Sequence, residues 1–232
     1  LELVRCRSID LEVPAWSEIV LEGRIEPGRA EPEGPFAELM GYYSTVAPAP
    51  VMEVTAVTHR NEPIFQHAFP CREEHLAYGM IKEAEIFAAL SHTVNVQDVN
   101  LTLGGGCRLH AVVSIKKRAD GDGKSAILGV LGAYKDIKHV VVVDDDVDIR
   151  NWQEVIWAMT TRVDPARDLT LVENTPIDYL DFASPVSGLG SKMGIDATNK
   201  WPGETTREWG TPIVMPDQVK ARVDALWKDL GL

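Results

Sequence analysis

Glu33 and Glu38 stand five residues apart in Pro32-Glu33-Gly34-Pro35-Phe36-Ala37-Glu38, a stretch that cannot be helical. The two prolines lack amide donors and fix φ, and Gly34 loosens the backbone between them, so the segment is extended or turned. In a plain strand, residues five apart face opposite sides. A bend at Gly34-Pro35 brings both carboxyls to one cavity, between the apolar run Ile19-Val20-Leu21 and Tyr42-Tyr43. Two acids held close in a stiff loop suit proton transfer, because the charge on one, together with burial, keeps the other protonated. The same spacing is that of a solvated acidic turn, and spacing alone leaves both readings open.

Other constellations compete for chemistry. Asp144-Asp145-Asp146-Val147-Asp148 follows a predicted buried strand, Val140–Val143, where hard carboxylate oxygens could hold Mg²⁺ and serve a transferase. The alternative is a polar strand exit whose last acid caps the next helix, with Asn151 as a second candidate cap. No Gly-rich phosphate loop accompanies the acids, which favours the cap. Gly104-Gly105-Gly106 lacks the GxxxxGK[ST] pattern and reads as a flexible turn. Ser184-Pro185-Val186-Ser187-Gly188-Leu189-Gly190-Ser191-Lys192 reads as a small-residue loop that allows close backbone approach to a phosphate, with Lys192 adding a cation; a plain surface loop reads the same way. The six histidines show neither HxxxH nor HExxH, so no histidine metal site is expected. His59 and His67 flank a predicted hairpin.

The elements that must hold these residues divide the chain. Residues 1–69 read as β-rich, with strands at Glu18–Ile25, Val51–His59 and Ile64–Phe69 punctuated by prolines, as in part of a barrel or sandwich. Glu73–Leu90 is a helix with acids in its first turn and Leu76, Met80, Ala84 and Phe87 at helical spacing. Ser91–Asn100 reads as a polar link. Strand Leu109–Lys116, helix Lys124–Lys138, strand Val140–Val143, helix Trp152–Val163 and strand Leu169–Val172 then alternate, which points to an α/β layer with a partly parallel sheet. Residues 174–215 read as long, irregular and functional, and Val219–Leu230 as a closing amphipathic helix.

Composition narrows the partners. The 232 residues carry a formal charge of −12, which argues against the polyanions nucleic acid and anionic membrane. Cys6, Cys71 and Cys107 are widely spaced and odd in number, fitting a reducing compartment and neither a disulfide framework nor a zinc site. No apolar run approaches the roughly 20 residues that span a bilayer, so a cytoplasmic protein without an integral membrane segment is expected. The first residues, Leu1-Glu2-Leu3-Val4, read as the middle of a strand, so the expectation is the C-terminal part of something longer.

Taken together these segments resemble the UbiD-like family of prenylated-FMN-dependent decarboxylases. The resemblance is carried by Glu33-Gly34-Pro35-Phe36 with Gly41-Tyr42-Tyr43, by Asp144-Asp145-Asp146-Val147 and by Asp164-Pro165-Ala166-Arg167-Asp168. Its longest run goes from Asn174-Thr175-Pro176-Ile177-Asp178 through Gly190-Ser191-Lys192 and Asp196-Ala197-Thr198-Asn199-Lys200-Trp201-Pro202-Gly203-Glu204 to Trp209-Gly210. It implies non-oxidative, reversible decarboxylation of an aromatic or α,β-unsaturated carboxylic acid, with the cofactor carrying the hard chemistry. The last forty residues lean towards members acting on 3-polyprenyl-4-hydroxybenzoate in ubiquinone biosynthesis.

By the same resemblance Glu38 is the proton donor, Glu33 the first active-site acid, normally paired with an arginine, and Lys192 a contact of the cofactor phosphate. The resemblance further implies Mn²⁺, but the family's metal ligands and that arginine lie upstream of this chain. Ala37 stands where glycine is usual. The implied fold is α/β (α+β): residues 1–69 as the C-terminal part of a split flavin-binding β-barrel, 70–100 as a linking helix packed on a missing N-terminal domain, and 101–232 as an α/β C-terminal domain that builds a homo-oligomer. The alternative is a non-catalytic structural or oligomerising fragment, or a split subunit.

Overall fold

The computed structural model describes residues 1–211 and 213–231. Its first part is built from two antiparallel ribbons. The shorter pairs β1 (Leu3–Arg5) with β2 (Glu12–Pro14); the longer pairs β3 (Ile19–Glu33) with β4 (Ala47–His59), from Ile19 opposite His59 to Glu33 opposite Ala47. Pro27, Pro32, Pro48 and Pro50 are tolerated in β3 and β4 because each strand of a two-stranded ribbon has an outer edge that asks for no amide donor. Register shifts after Glu22 and Ile25 bend the ribbon. The two ribbons are open sheets and do not by themselves close a cylinder among the described residues. Residues 64–69, expected as a strand, join no strand ladder; Ile64 N–H donates to the Glu18 carboxylate, and the His67 ring lies near those of Phe65 and Phe69, both of them exposed.

The second part is a three-layer α/β unit. Its five-stranded sheet runs in the order β5 (Val96–Leu101), β6 (His110–Ile115), β7 (His139–Asp144), β9 (Leu189–Asp196), β8 (Leu169–Pro176). The strands β6, β7 and β9 are parallel, with β5 and β8 antiparallel on the two edges. Helices α1 (Leu76–Leu90) and α2 (Asp122–Ala133) cover one face, burying Ile86, Leu90, Ile127 and Val130 against Ala111, Val113, Val140 and Val142. Helix α3 (Trp152–Arg162) covers the other, packing Val155 and Ala158 on Val112, Val141 and Val143. Strands clad on both faces read as unbroken apolar runs, which is why β6 and β7 were visible in the sequence. A single turn, α4 (Pro165–Asp168), leads into β8, and α5 (Asp217–Leu230) ends the chain.

Two expectations need correction. Ser91–Asn100 is not merely a link: it contains most of β5. A register shift between Val96 and Asp98 breaks the period-two alternation that would have announced a strand. The irregular 174–215 segment holds the end of β8 and all of β9. The buried face of β9 is Gly190, Lys192, Gly194 and Asp196, so no apolar side chain marks it. The helix after residue 73 packs its Ile86 and Leu90 side into this unit, and the stripe expected to face a missing N-terminal domain leaves Leu76 50% and Met80 68% exposed in this chain.

Candidate active site

The two acids sit at the tip of the β3–β4 ribbon. Gly34 turns the chain with φ +90, the Gly34–Pro35 peptide is cis, and the bend lies where the sequence placed it. A side chain at Gly34 would press on Ser44 Oγ and the Thr45 carbonyl, at 3.2 and 3.3 Å. Beyond the bend the chain folds into a small hairpin. Phe36 N–H donates to Ser44 Oγ (3.0 Å), and Ser44 N–H returns to the Phe36 carbonyl (2.8 Å). Glu38 N–H donates to the Tyr42 carbonyl, and the Glu38 carbonyl accepts from Gly41 N–H, both at 2.9 Å. The backbone on either side of Glu38 is therefore fixed by a closed turn. Glu33 is exposed at the end of β3 and Glu38 is half-buried in the turn. Among the described residues neither carboxylate is hydrogen-bonded or ion-paired.

The tip rests on the sheet unit at the amino ends of its parallel strands. Leu39 is buried at 5% exposure. It and Met40 lie over Gly106, where an added Cβ would fall 2.6 Å from Leu39 Cδ1 and 2.7 Å from Met40 Sδ. Tyr42 meets Phe182, with ring centroids 5.2 Å apart. Gly104-Gly105-Gly106 is thus an ordered turn: a 3-10 turn over Leu103–Gly105 closes with Gly106 at φ 65, and Thr102 Oγ1 accepts from Gly105 N–H. Beside the tip lies a cleft of about 1160 Å³, lined among others by Met40, Met80, Glu83, Leu103, His110, His139 and Trp152.

Sequence reading missed the histidine pair in this cleft. His110 and His139 are 29 positions apart, yet the parallel register sets them directly opposite each other, with rings 6.4 Å apart. Burial first, and then the neighbouring His139, pushes His110 down to about 4, so at neutral pH it is an uncharged ring held by Thr102 Oγ1 at 3.0 Å. No local spacing signal could have found the pair, since it exists only once β6 and β7 are aligned.

The carboxyl ends of the same strands, the usual ligand edge of a parallel sheet, are filled by the protein's own ion pairs. Arg162 forks to Asp144 (3.2 Å) and Asp146 (2.8 Å). Burial raises the Asp144 pKa even though Asn199 N–H and Arg162 oppose it. Lys117 pairs with Glu204, which also accepts from Gly121 N–H. Lys200 reaches Asp196 at 2.9 Å and Asp168 at 3.5 Å. Asp148 accepts from Arg150 N–H, and Asn151 caps α3 through Gln153 N–H. The acidic run is therefore committed to structure, and among the described residues no group of three or more His, Cys, Asp or Glu could hold a metal ion.

Lys192 is not on a loop. It lies inside β9, 3% exposed, and its ammonium donates to the Lys135 carbonyl at 2.6 Å. Burial lowers its pKa despite the nearby Asp136. The structure thus seats Leu39, Met40 and Tyr42 on the sheet unit beside Glu38, with Glu33 exposed at the end of β3 and Lys192 held within the sheet.

Two family models match the chain. One, described as the 3-octaprenyl-4-hydroxybenzoate carboxy-lyase Rift-related domain, matches residues 1–73; the other, the C-terminal domain of the same carboxy-lyase, matches residues 75–197. The second model includes α1, in line with its packing on the sheet. Among solved structures, the UbiD-class enzyme HmfF from Pelotomaculum thermopropionicum, in complex with FMN, aligns with a TM-score of 0.78 and 44% identity over 95% of this chain and 49% of that one. Vanillic acid decarboxylase from Sedimentibacter hydroxybenzoicus aligns with a TM-score of 0.80 and 32% identity over 98% and 49%. The 3,4-dihydroxybenzoic acid decarboxylase AroY from Klebsiella pneumoniae aligns with a TM-score of 0.76 and 29% identity over 96% and 50%. The chain spans about half the length of these relatives.

Proposed function

The chain belongs to the UbiD family of carboxy-lyases, and from that premise we propose that it carries the proton-delivering part of a non-oxidative decarboxylase. The substrate class is an aromatic or α,β-unsaturated carboxylic acid. Structures of HmfF in complex with FMN and, in an evolved dimeric form, with prenylated FMN support a prenylated flavin as cofactor. When bound, that flavin supplies the sink for the electron pair left on carbon as CO₂ departs.

The residues present fit the ring end of such a cofactor better than its phosphate end. Around the acids, Phe36, Tyr42, Tyr43 and Val46 present exposed apolar surface to which a flat ring can pack. Lys192, proposed as the phosphate contact, gives one of its three N–H donors to the Lys135 carbonyl and is 3% exposed, so that contact requires its surroundings to open. The described residues do not supply a ligand set for Mn²⁺, and no step is routed through a metal.

The observation that carries the reading is the closed turn at Glu38: a half-buried carboxyl with fixed backbone and no competing partner among the described residues. In the proposed reaction the Glu38 carboxyl gives its proton to the carbon that has lost CO₂ and regains one from solvent. Glu33 stands at the end of β3, on the same tip. In the full-length, flavin-loaded enzyme, Glu38→Gln is expected to lower kcat by at least about 100-fold with flavin absorbance retained. Turnover at the parent rate would remove Glu38 from the role. We further place the enzyme in the cytoplasm as a homo-oligomer; among the described residues no helix is long and apolar enough to cross a membrane.

A further inference from the structure

Leu39 is the one fully buried side chain of the ribbon tip. Over residues 34–46 every other position is exposed or half-buried, and the aromatic neighbours Phe36, Tyr42 and Tyr43 are 50%, 63% and 73% exposed. An apolar side chain adjoining a proposed proton donor, and buried against another part of the molecule, fixes that donor's position.

The seat is built to receive it. Gly106 closes its turn in a left-handed conformation, φ 65, where a side chain would be strained as well as crowded by Leu39 and Met40. The turn is braced from within: Gly105 N–H and Cys107 N–H both donate to the Thr102 carbonyl at 3.0 Å, Gly106 N–H to Leu103 at 2.9 Å, and Leu109 N–H to Gly105 at 2.9 Å. The Tyr42–Phe182 contact adds a second point, so the tip cannot pivot freely about Leu39. The acid thus stands on the part matched as one family domain, and its footing on the part matched as the other.

We propose that Leu39, seated on Gly106, is a positioning residue that sets the distance and direction from which Glu38 delivers its proton. The inference rests on Glu38 being the donor. It touches proton delivery and not substrate affinity, because Leu39 is directed into its seat. A misplacement of about 1 Å at a reacting group costs on the order of 100-fold in rate.

The test uses the complete flavin-loaded enzyme and three substitutions. Leu39→Ala is expected to lower kcat roughly 10- to 100-fold with KM within about threefold and flavin content unchanged. The solvent deuterium isotope effect on kcat should rise, since proton delivery becomes the slow step, and Leu39→Met should restore both. Gly106→Ala, which intrudes from the other side of the seat, should move kcat and the isotope effect in the same direction. Parent-like kcat and isotope effect in Leu39→Ala and Gly106→Ala, with Glu38→Gln inactive, would overturn the positioning role and leave the donor standing. A loss of kcat without change in the isotope effect would also overturn it. Parent-like turnover in Glu38→Gln would overturn both.

Discussion

At the scale of single residues, the molecule separates charges that build from groups left available. Arg162, Lys117, Lys200, Arg108 and Lys138 are each tied to carboxylates within the sheet unit, while Glu33 and Glu38 are not. His110 is a third kind: buried, uncharged and sensitive to acid. Its pKa falls from 6.5 to about 4 on folding, so between those values the unfolded chain binds the extra proton and the folded chain does not. Stability therefore rises with pH across that window and is lost as pH falls through it, by at most on the order of 3 kcal/mol. His110→Asn keeps a polar partner for Thr102 and removes the titration. Denaturant midpoints of the parent should fall relative to the variant as pH drops from 6.5 to 4, with no change in their difference above 7. Parallel curves across the whole range would mean that the ring is not buried as described.

At the scale of elements, what the sequence revealed depended on which faces are apolar. The strands β6 and β7 were legible because both faces are covered by helices. The strand β9 was not, because its interior face is glycine, lysine and aspartate, and Gly194 is pressed close under Ile127 of α2. The Gly34–Pro35 bend was legible from residue types alone, yet the seat at Gly106 was not, since it is created by docking across some 70 positions. The apolar stripe read on α1 was the exposed one; the buried residues Ile86 and Leu90 anchor the helix to the sheet. That assignment has a measurable cost. Ile86→Ala should destabilise the sheet unit by about 2–4 kcal/mol through lost burial and a residual cavity. Met80→Ala, on the exposed side, should change stability by less than about 0.5 kcal/mol. Equal effects on chemical denaturation would return α1 to the role of a linker.

At the scale of the whole molecule, burial is uneven. The sheet unit has a closed core, whereas the ribbons leave Leu21, Ile25, Val54 and Val57 between 48% and 59% exposed, with unpaired outer edges on β3 and β4. The exposed stripe of α1 and the Val219, Val223, Leu226 and Trp227 side chains of α5 add further apolar surface. Open strand edges and apolar faces of this extent favour association. The charge of −12 opposes it, through a repulsion that salt weakens as the Debye length shrinks from about 10 Å at 0.1 M to about 3 Å at 1 M. This chain, prepared by itself, is therefore expected to self-associate in a concentration-dependent way, and more strongly at high salt than at low. Multi-angle light scattering should show mass rising with both variables. Replacing Leu76 and Met80 by glutamate adds two charges to an open apolar face without touching the core, and should shift the distribution back towards monomer. A monomer at 1 M salt and high concentration would show that these faces are not adhesive, and that burial by another polypeptide is not what their composition serves.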